Sequence, residues 1–389
     1  MASCHMAIIS QFQNENPQRS TLNAKECAME VKTGIRKGTV TAPVSKSHLH
    51  RLLIADFLAG DRSRLAADAS DPDDIRATKR CLLALDTETE TPVLDCGESG
   101  STIRFLAPVA AALGKHPVFR TAGRLAARPQ LAYPELHSGI HELRGDVSSQ
   151  FVTGLLFALP LLEGASEIRF LTPLESRGYV DLTLDVLAGA GIRIGETGTG
   201  FRLEGGQRYR PQPSVRPEGD WSGAAFWYAM NALGSEVTVE GLNPASAQPD
   251  RAVVPKIAAI TAPEGEAVDV SQCPDLFPAL AVVAAGQKRA VRFTGIRRLR
   301  IKECDRVAAM AAVLERFGAR VEVTDTCFTV NGVGRRFAGG NFSSCADHRI
   351  AMAVAVGATC SAGPVLLDDA ACAAKSYPGF FDLFDCLRA

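Results

Sequence analysis

The feature that most narrows the fold is a stretch of chain that occurs twice. LAGAGIRIGETGTGFRLEGG (187–206) and LERFGARVEVTDTCFTVNGVG (314–334) align in one register: Gly191 falls on Gly318, Phe201 on Phe328, Leu203 on Val330 and Gly205 on Gly332, each pair 127 residues apart. Both stretches read as the end of a helix, a glycine turn, a strand, a second turn and a second strand. A supersecondary unit reused at matched spacing predicts an α/β chain whose repeats are distributed over two similar domains. With 389 residues, 46% of them apolar, the chain is long enough to bury two cores. The proline-rich RPQPSVRPEGD (210–220) is the natural boundary.

Short β-branched runs alternate with amphipathic segments that end in glycine, such as HRLLIADFLAG (50–60), TIRFLAPVAAALG (102–114) and DRVAAMAAVLERFG (305–318). In the last, Val307, Met310, Ala311, Leu314 and Phe317 are three or four residues apart and share one helical face, with Gly318 placed to end the helix. Four segments carry Lys or Arg where a helix should begin: PVSKSHLHR (43–51), GESGSTIR (97–104), RIKECDR (300–306) and ADHRIAM (346–352). A helix start already offers unpaired N–H groups and the positive end of the macrodipole, so an added cation makes a seat for phosphate or carboxylate. Four such starts point to small substrates bearing several anions.

The overall charge supports a local reading of these cations. Forty-two basic and 43 acidic residues leave a formal net charge of −1, which gives no field for nucleic acid or an acidic membrane. No run of about 18 apolar residues is present to span a bilayer. The 11 cysteines show no CxxC pairing and no regular spacing, as expected of reduced thiols in a cytoplasmic setting. Residues 1–27 are polar and lack the pattern of a secretory signal; they read as a mobile tail.

Ten ordered blocks carry a family resemblance: TAPVSKSHLHR, GESGSTIRFL, AARPQ, GDVSSQF, ESRGYVDLTL, EGDWSGAAF, DVSQCPDLFPAL, RIKECDRVAAM, ADHRIAMA and AAKSYPGFF. From about Met29 to Phe384 the chain resembles the 5-enolpyruvylshikimate-3-phosphate synthases, a branch of the enolpyruvyl transferases. The resemblance implies an α/β (α+β) protein of two inside-out α/β barrel domains, each of three βαβαββ repeats, with the active site in the cleft between them. It divides the chain into residues 28–42 plus 218–389 and residues 43–217. The implied reaction moves the enolpyruvyl group of phosphoenolpyruvate to the 5-hydroxyl of shikimate 3-phosphate and releases phosphate, in the cytoplasm, as a monomer. Neither a metal nor an organic cofactor is implied, and no nucleic-acid or membrane partner.

The same resemblance assigns residues. Lys46 would touch both substrates and protonate the departing phosphate or bridging oxygen, with Ser47 and Arg51 on the shikimate carboxylate. Ser148, Ser149 and Ser176 would hold the 3-phosphate, with Gln150 and Tyr179 against the ring and Lys302 on the shikimate hydroxyls. Phosphoenolpyruvate would meet Lys46, Gly100, Arg128, Gln150, Arg306, Arg349 and Lys375, with Arg104 either beside Gly100 or in an ion pair between domains. Asp275, also against the shikimate ring, would be the base for the 5-hydroxyl, and Glu303 the acid for the methylene carbon.

Departures from the family pattern are Glu98 in place of a common Asn, Leu49 and His50 in place of Ser-Asn, Arg177 in place of Lys, and Arg298 in place of Asn. The rival within the fold acts on UDP-N-acetylglucosamine and carries a catalytic cysteine before an Arg-Pro pair; GRLAARPQ (123–130) has none. An RNA-end cyclase would need a basic surface, which the near-neutral charge opposes. A non-catalytic relative would not retain Lys46, Asp275 and Glu303 together.

Overall fold

The computed structural model describes residues 13–14, 28–265 and 267–388. The expectation of a mobile tail over residues 1–27 lies outside the described residues, apart from Gln13–Asn14, a short strand parallel to Val118–Thr121. Of the described residues, 13–14 and 46–217 form one compact unit and 28–45 and 218–388 the other. The chain leaves the second unit after Ser45 and returns after Pro217. At this exit the two strands of chain lie side by side: Ser45 N–H donates to the Glu218 carbonyl at 2.7 Å and Asp220 N–H to the Pro43 carbonyl at 2.8 Å.

The first unit contains helices α1 (Lys46–Leu58), α2 (Asp73–Leu85), α3 (Gly100–Ala112), α4 (Ser149–Ala158) and α5 (Arg177–Gly189). The second contains α6 (Trp221–Ala232), α7 (Val253–Thr261), α8 (Phe277–Ala285), α9 (Arg306–Arg316), α10 (His348–Ala358) and α11 (Phe380–Cys386). All four helix starts expected from cationic turns are present, at Lys46, Gly100, Arg306 and His348. Three have side-chain caps: Ser99 accepts from Thr102 N–H, Asp305 from Val307 and Ala308 N–H, and Asp347 from Arg349 N–H.

The interior of the second unit holds two central helices. Every residue of α8 and of α10 is buried, so neither has a polar face to show water. The strands alternate instead: in Ala290–Thr294, Val291 and Phe293 point inward while Ala290 and Arg292 are exposed.

The repeat read from the sequence is a topological repeat. In the first unit Gly139–Arg144 runs parallel to Ser166–Thr172, which pairs antiparallel with Gly200–Leu203, itself antiparallel to Gly195–Thr197. In the second, Val268–Asp269, Ala290–Thr294, Cys327–Asn331 and Arg320–Val323 adopt the same order and the same directions. Each set has a helix in both crossovers, giving the full βαβαββ succession. Phe201 and Phe328 face Ile168 and Phe293 in equivalent pairs, and all four are buried. The turn glycines are equivalent too, Gly191 at φ 81° and Gly318 at φ 101°.

Gly205 and Gly332 have backbone angles open to other residues but no room for a side chain. A Cβ on Gly205 would collide with the Leu162 carbonyl oxygen, and one on Gly332 with that of Gln287. Gly205→Ala and Gly332→Ala are each expected to cost about 2 kcal/mol or more, the scale of overpacking against a fixed neighbour. Thermal unfolding of the two variants checks this; melting temperatures within a degree of the parent would refute it.

Candidate active site

Arg306, at the first position of α9, is 1% exposed and surrounded by carboxylates. Its Nε donates to Asp347 Oδ2 at 2.7 Å, its Nη1 to Asp275 Oδ1 at 2.8 Å and its Nη2 to Glu303 Oε2 at 2.8 Å. A buried guanidinium is tolerable only with such compensation. Burial works against its charge, but Asp347, Glu303 and Asp275 outweigh burial and raise its pKa further.

Asp275 is shared among three cations. Its Oδ1 also receives Lys302 Nζ at 3.2 Å, and its Oδ2 receives Arg349 Nη2 at 3.2 Å. Burial alone would push this carboxyl up, but Arg349, Lys302 and Arg306 together hold it well below the usual carboxylate range. Lys302 shows the opposite balance: burial dominates the pull of Asp275 and brings the amine down to about 8. Arg349 is anchored by Ser222 Oγ at 3.0 Å, and Ser222 by the Asp220 cap of α6 at 2.7 Å.

Asp347 is fully buried, caps α10 and pairs with Arg306. Just before it, Cys345 and Ala346 both have φ 52°, an uncommon left-handed pair without glycine. Asp368 holds this turn by accepting from Ser343 Oγ at 2.6 Å and Ser344 N–H at 2.7 Å. Of the residues expected in this unit, the structure thus joins Asp275, Lys302, Glu303, Arg306 and Arg349 in one network. Lys375 is buried at the end of a short helix, Ala371–Lys375. Arg298 donates to the Ser271 carbonyl at 2.5 Å.

The first unit assembles its own group. A Cβ on Gly100 would stand 2.8 Å from Arg104 Nη1 and 3.2 Å from Arg128 Nη1, so both guanidiniums face the bare α-carbon that opens α3. Arg104 Nη1 donates to Gln150 Oε1 at 2.6 Å and its Nη2 to the Pro129 carbonyl at 2.9 Å; Gln150 Nε2 donates to Ser101 Oγ at 2.9 Å. Arg104 thus lies beside Gly100 and binds partners of its own unit. Glu98, the departure from Asn, rests its carboxylate against Gly123.

Lys46, the first residue of α1, pairs with Asp74 of α2 at 2.7 Å. Ser148 caps α4 by accepting from Gln150 N–H, and Ser149 is its first residue. Ser176 precedes α5 at φ 57° and is buried. Arg51 is also buried, which lowers its guanidinium to about 9. It donates to Thr183 Oγ1 at 2.8 Å, to the Ser47 and Tyr179 carbonyls at 2.5 and 2.7 Å, and to Thr153 Oγ1 at 3.5 Å. Four of its five N–H groups therefore bridge α1, α4 and α5. Arg177 makes a bidentate pair with Glu196 and a third contact to Asp181 at the surface.

Sequence reasoning missed Asp74 and Asp347, the counter-charges of Lys46 and Arg306. Both lie in the first turn or at the cap of a helix, where an acid is favoured for local reasons and carries no sign of a distant partner. Among the described residues no cluster of His, Cys, Asp and Glu is arranged to hold a metal ion, and nine cysteines are free thiols.

Repeated α/β units with guanidinium and ammonium groups at buried helix starts define an enzyme for small polyanionic substrates. Comparison narrows the class. The family model for EPSP synthase (3-phosphoshikimate 1-carboxyvinyltransferase) matches residues 129–384. The 3-phosphoshikimate 1-carboxyvinyltransferase of Clostridium kluyveri is 37% identical over 407 residues, covering 90% of this chain and 95% of that protein. That of Clostridioides difficile is 33% identical over 416 residues, covering 90% and 95%. The solved EPSP synthase of Acinetobacter baumannii shares the fold, with a TM-score of 0.70 at 22% identity over 92% of this chain and 97% of that one. The chain belongs to the EPSP synthase family.

Asp347→Asn retains a capping oxygen but removes the buried counter-charge of Arg306. It is expected to destabilise the protein by about 3 kcal/mol or more, the cost of stranding one member of a buried pair. Asp305→Asn, the same change at a cap whose side chain is 38% exposed, should cost less than about 0.5 kcal/mol. Denaturant midpoints measure both; equal shifts would show that the Asp347 pair is not a keystone.

Proposed function

We propose that this protein catalyses the reaction of its family: the 5-hydroxyl oxygen of shikimate 3-phosphate bonds to C2 of phosphoenolpyruvate, and phosphate leaves. In the addition step the hydroxyl loses a proton and the methylene carbon gains one. In the elimination step the C2–O bond to phosphate breaks and the methyl group returns a proton, leaving the enol ether. The observation that carries this reading is the Asp275 network, an ionised carboxylate shared by Lys302, Arg306 and Arg349 with a second carboxylate, Glu303, on the same arginine.

That arrangement suits a base switched on by substrate. Unliganded Asp275 is a weak base because three cations stabilise its charge. Substrate carboxylate and phosphate claim Lys302, Arg306 and Arg349, and each cation drawn away returns Asp275 toward ordinary basicity. Asp275 then takes the 5-hydroxyl proton and Glu303 serves the methylene carbon. Lys46, competed away from Asp74, protonates the departing phosphate. Ser148, Ser149 and Ser176 receive the 3-phosphate, Ser47 and the remaining Arg51 N–H the shikimate carboxylate, and Gln150 and Tyr179 the ring. Gly100, Arg104, Arg128 and Lys375 complete the phosphoenolpyruvate contacts. The paired anions of the two substrates account for so many cations in a chain of net charge −1. A reducing compartment such as the cytoplasm fits the nine free thiols among the described residues.

Phosphate release from phosphoenolpyruvate, measured with shikimate 3-phosphate and with UDP-N-acetylglucosamine as acceptors, tests the assignment. Turnover is expected with the first alone; preference for the sugar nucleotide would overturn it.

The two carboxylates should separate kinetically. Asp275→Ala is expected to slow turnover about a hundredfold or more, the usual scale of general acid–base loss, while phosphoenolpyruvate still binds. Glu303→Gln should slow solvent-deuterium entry into the methylene position. Parent-like rates and isotope incorporation in both folded variants would reduce these residues to structural charges.

A further inference from the structure

The first unit contains a line of buried polar side chains to which no role in the reaction has been given. His50 of α1, Thr78 of α2, and Ser99 and Thr102 at the start of α3 are all 0 or 1% exposed. His50 Nδ1 lies 2.8 Å from Thr78 Oγ1, and Thr78 Oγ1 lies 2.7 Å from Thr102 Oγ1. Thr102 Oγ1 donates to Ser99 Oγ at 2.7 Å; its approach to the Asp74 carbonyl, at 3.4 Å, is longer.

Proton counting fixes the direction of this line. A hydroxyl has one proton, and that of Thr102 is directed at Ser99. Thr102 must therefore accept from Thr78, whose only proton is then used. Thr78 must in turn accept from His50, so Nδ1 of His50 carries hydrogen. At the far end Ser99 Oγ accepts from the Thr102 hydroxyl and from Thr102 N–H, at 3.3 Å. Its own proton remains, and among the described residues it has no acceptor. Ser99 adjoins Gly100, whose α-carbon faces Arg104 and Arg128.

We infer that His50, Thr78 and Thr102 form a one-way hydrogen-bond relay that makes Ser99 a hydroxyl donor to the anion of phosphoenolpyruvate seated against Gly100. The inference rests on the reaction proposed above and adds Ser99 as a binding residue, with His50, Thr78 and Thr102 as positioning residues. Each bond in such a chain polarises the next, and a donor at a buried helix start strengthens the seat for negative charge. The relay also joins the helices that carry Lys46, Asp74 and Gly100, so the anion and its cations keep register.

Ser99→Gly removes the hydroxyl while keeping a residue accepted at a helix cap. It is expected to raise KM for phosphoenolpyruvate about tenfold or more, the loss of one hydrogen bond to a charged group. KM for shikimate 3-phosphate and kcat should stay near the parent values. Ser99→Thr should restore the parent KM, and Thr78→Val, which cuts the relay midway, should raise it by a smaller factor. Nitrogen-15 NMR of the parent protein should show His50 protonated at Nδ1. An unchanged phosphoenolpyruvate KM in folded Ser99→Gly, or a bare Nδ1 on His50, would overturn the relay. Absence of any turnover by the parent would instead refute the proposed function, and the NMR measurement would still decide the relay by itself.

Discussion

A guanidinium sealed from water must be answered by charge, and Arg306 is answered three times. Asp347 holds it from the cap of α10, Asp275 from the turn before α8, and Glu303 from its own approach to α9. Moving any of these segments strands a buried charge, a far larger penalty than the loss of one apolar contact. Lys302 and Arg349 hang on the Asp275 carboxylate, so the geometry of this whole cluster derives from one ionic knot. The left-handed pair Cys345–Ala346 is tolerated there because the knot and Asp368 over-determine the turn.

The other unit solves the problem with less charge. Glycine at the start of α3 lets two guanidiniums approach the backbone, and hydroxyls join neighbouring helices alongside the Lys46–Asp74 ion pair between α1 and α2. Arg51 belongs to this scaffold more than to any ligand, since nearly all its donors are used in binding α1 to α4 and α5. A buried guanidinium is thus held in two ways, Arg306 by ionic pairing and Arg51 by neutral hydroxyl and carbonyl acceptors.

Much of this was legible in the sequence because its causes are local. Helix starts at Lys46, Gly100, Arg306 and His348 follow from caps and turns within four residues of each position, and the repeat follows from glycine and phenylalanine spacing. What was not legible depends on distance along the chain. Asp74 answers Lys46 from 28 residues away and Asp347 answers Arg306 from 41, and neither acid differs in local pattern from a solvated helix-start residue. His50 is similar: the sequence marks it only as a departure from the family pattern, and packing against α2 and α3 shows that it is buried with Thr78.

The route of the chain through its two units has a consequence for how the protein is made. Lys37–Thr41 finds its partner strand at Glu236–Glu240, and Met29–Val31 pairs with Val365–Leu367. The first of these pairings spans 199 residues, whereas the other unit takes residues 46–217 in one run, joined by the short strand Gln13–Asn14. A ribosome delivers the continuous unit whole before the strands that complete the other have emerged. Met29–Val31 and Lys37–Thr41 are thus made early and paired late, and their edges wait exposed while the inserted unit folds.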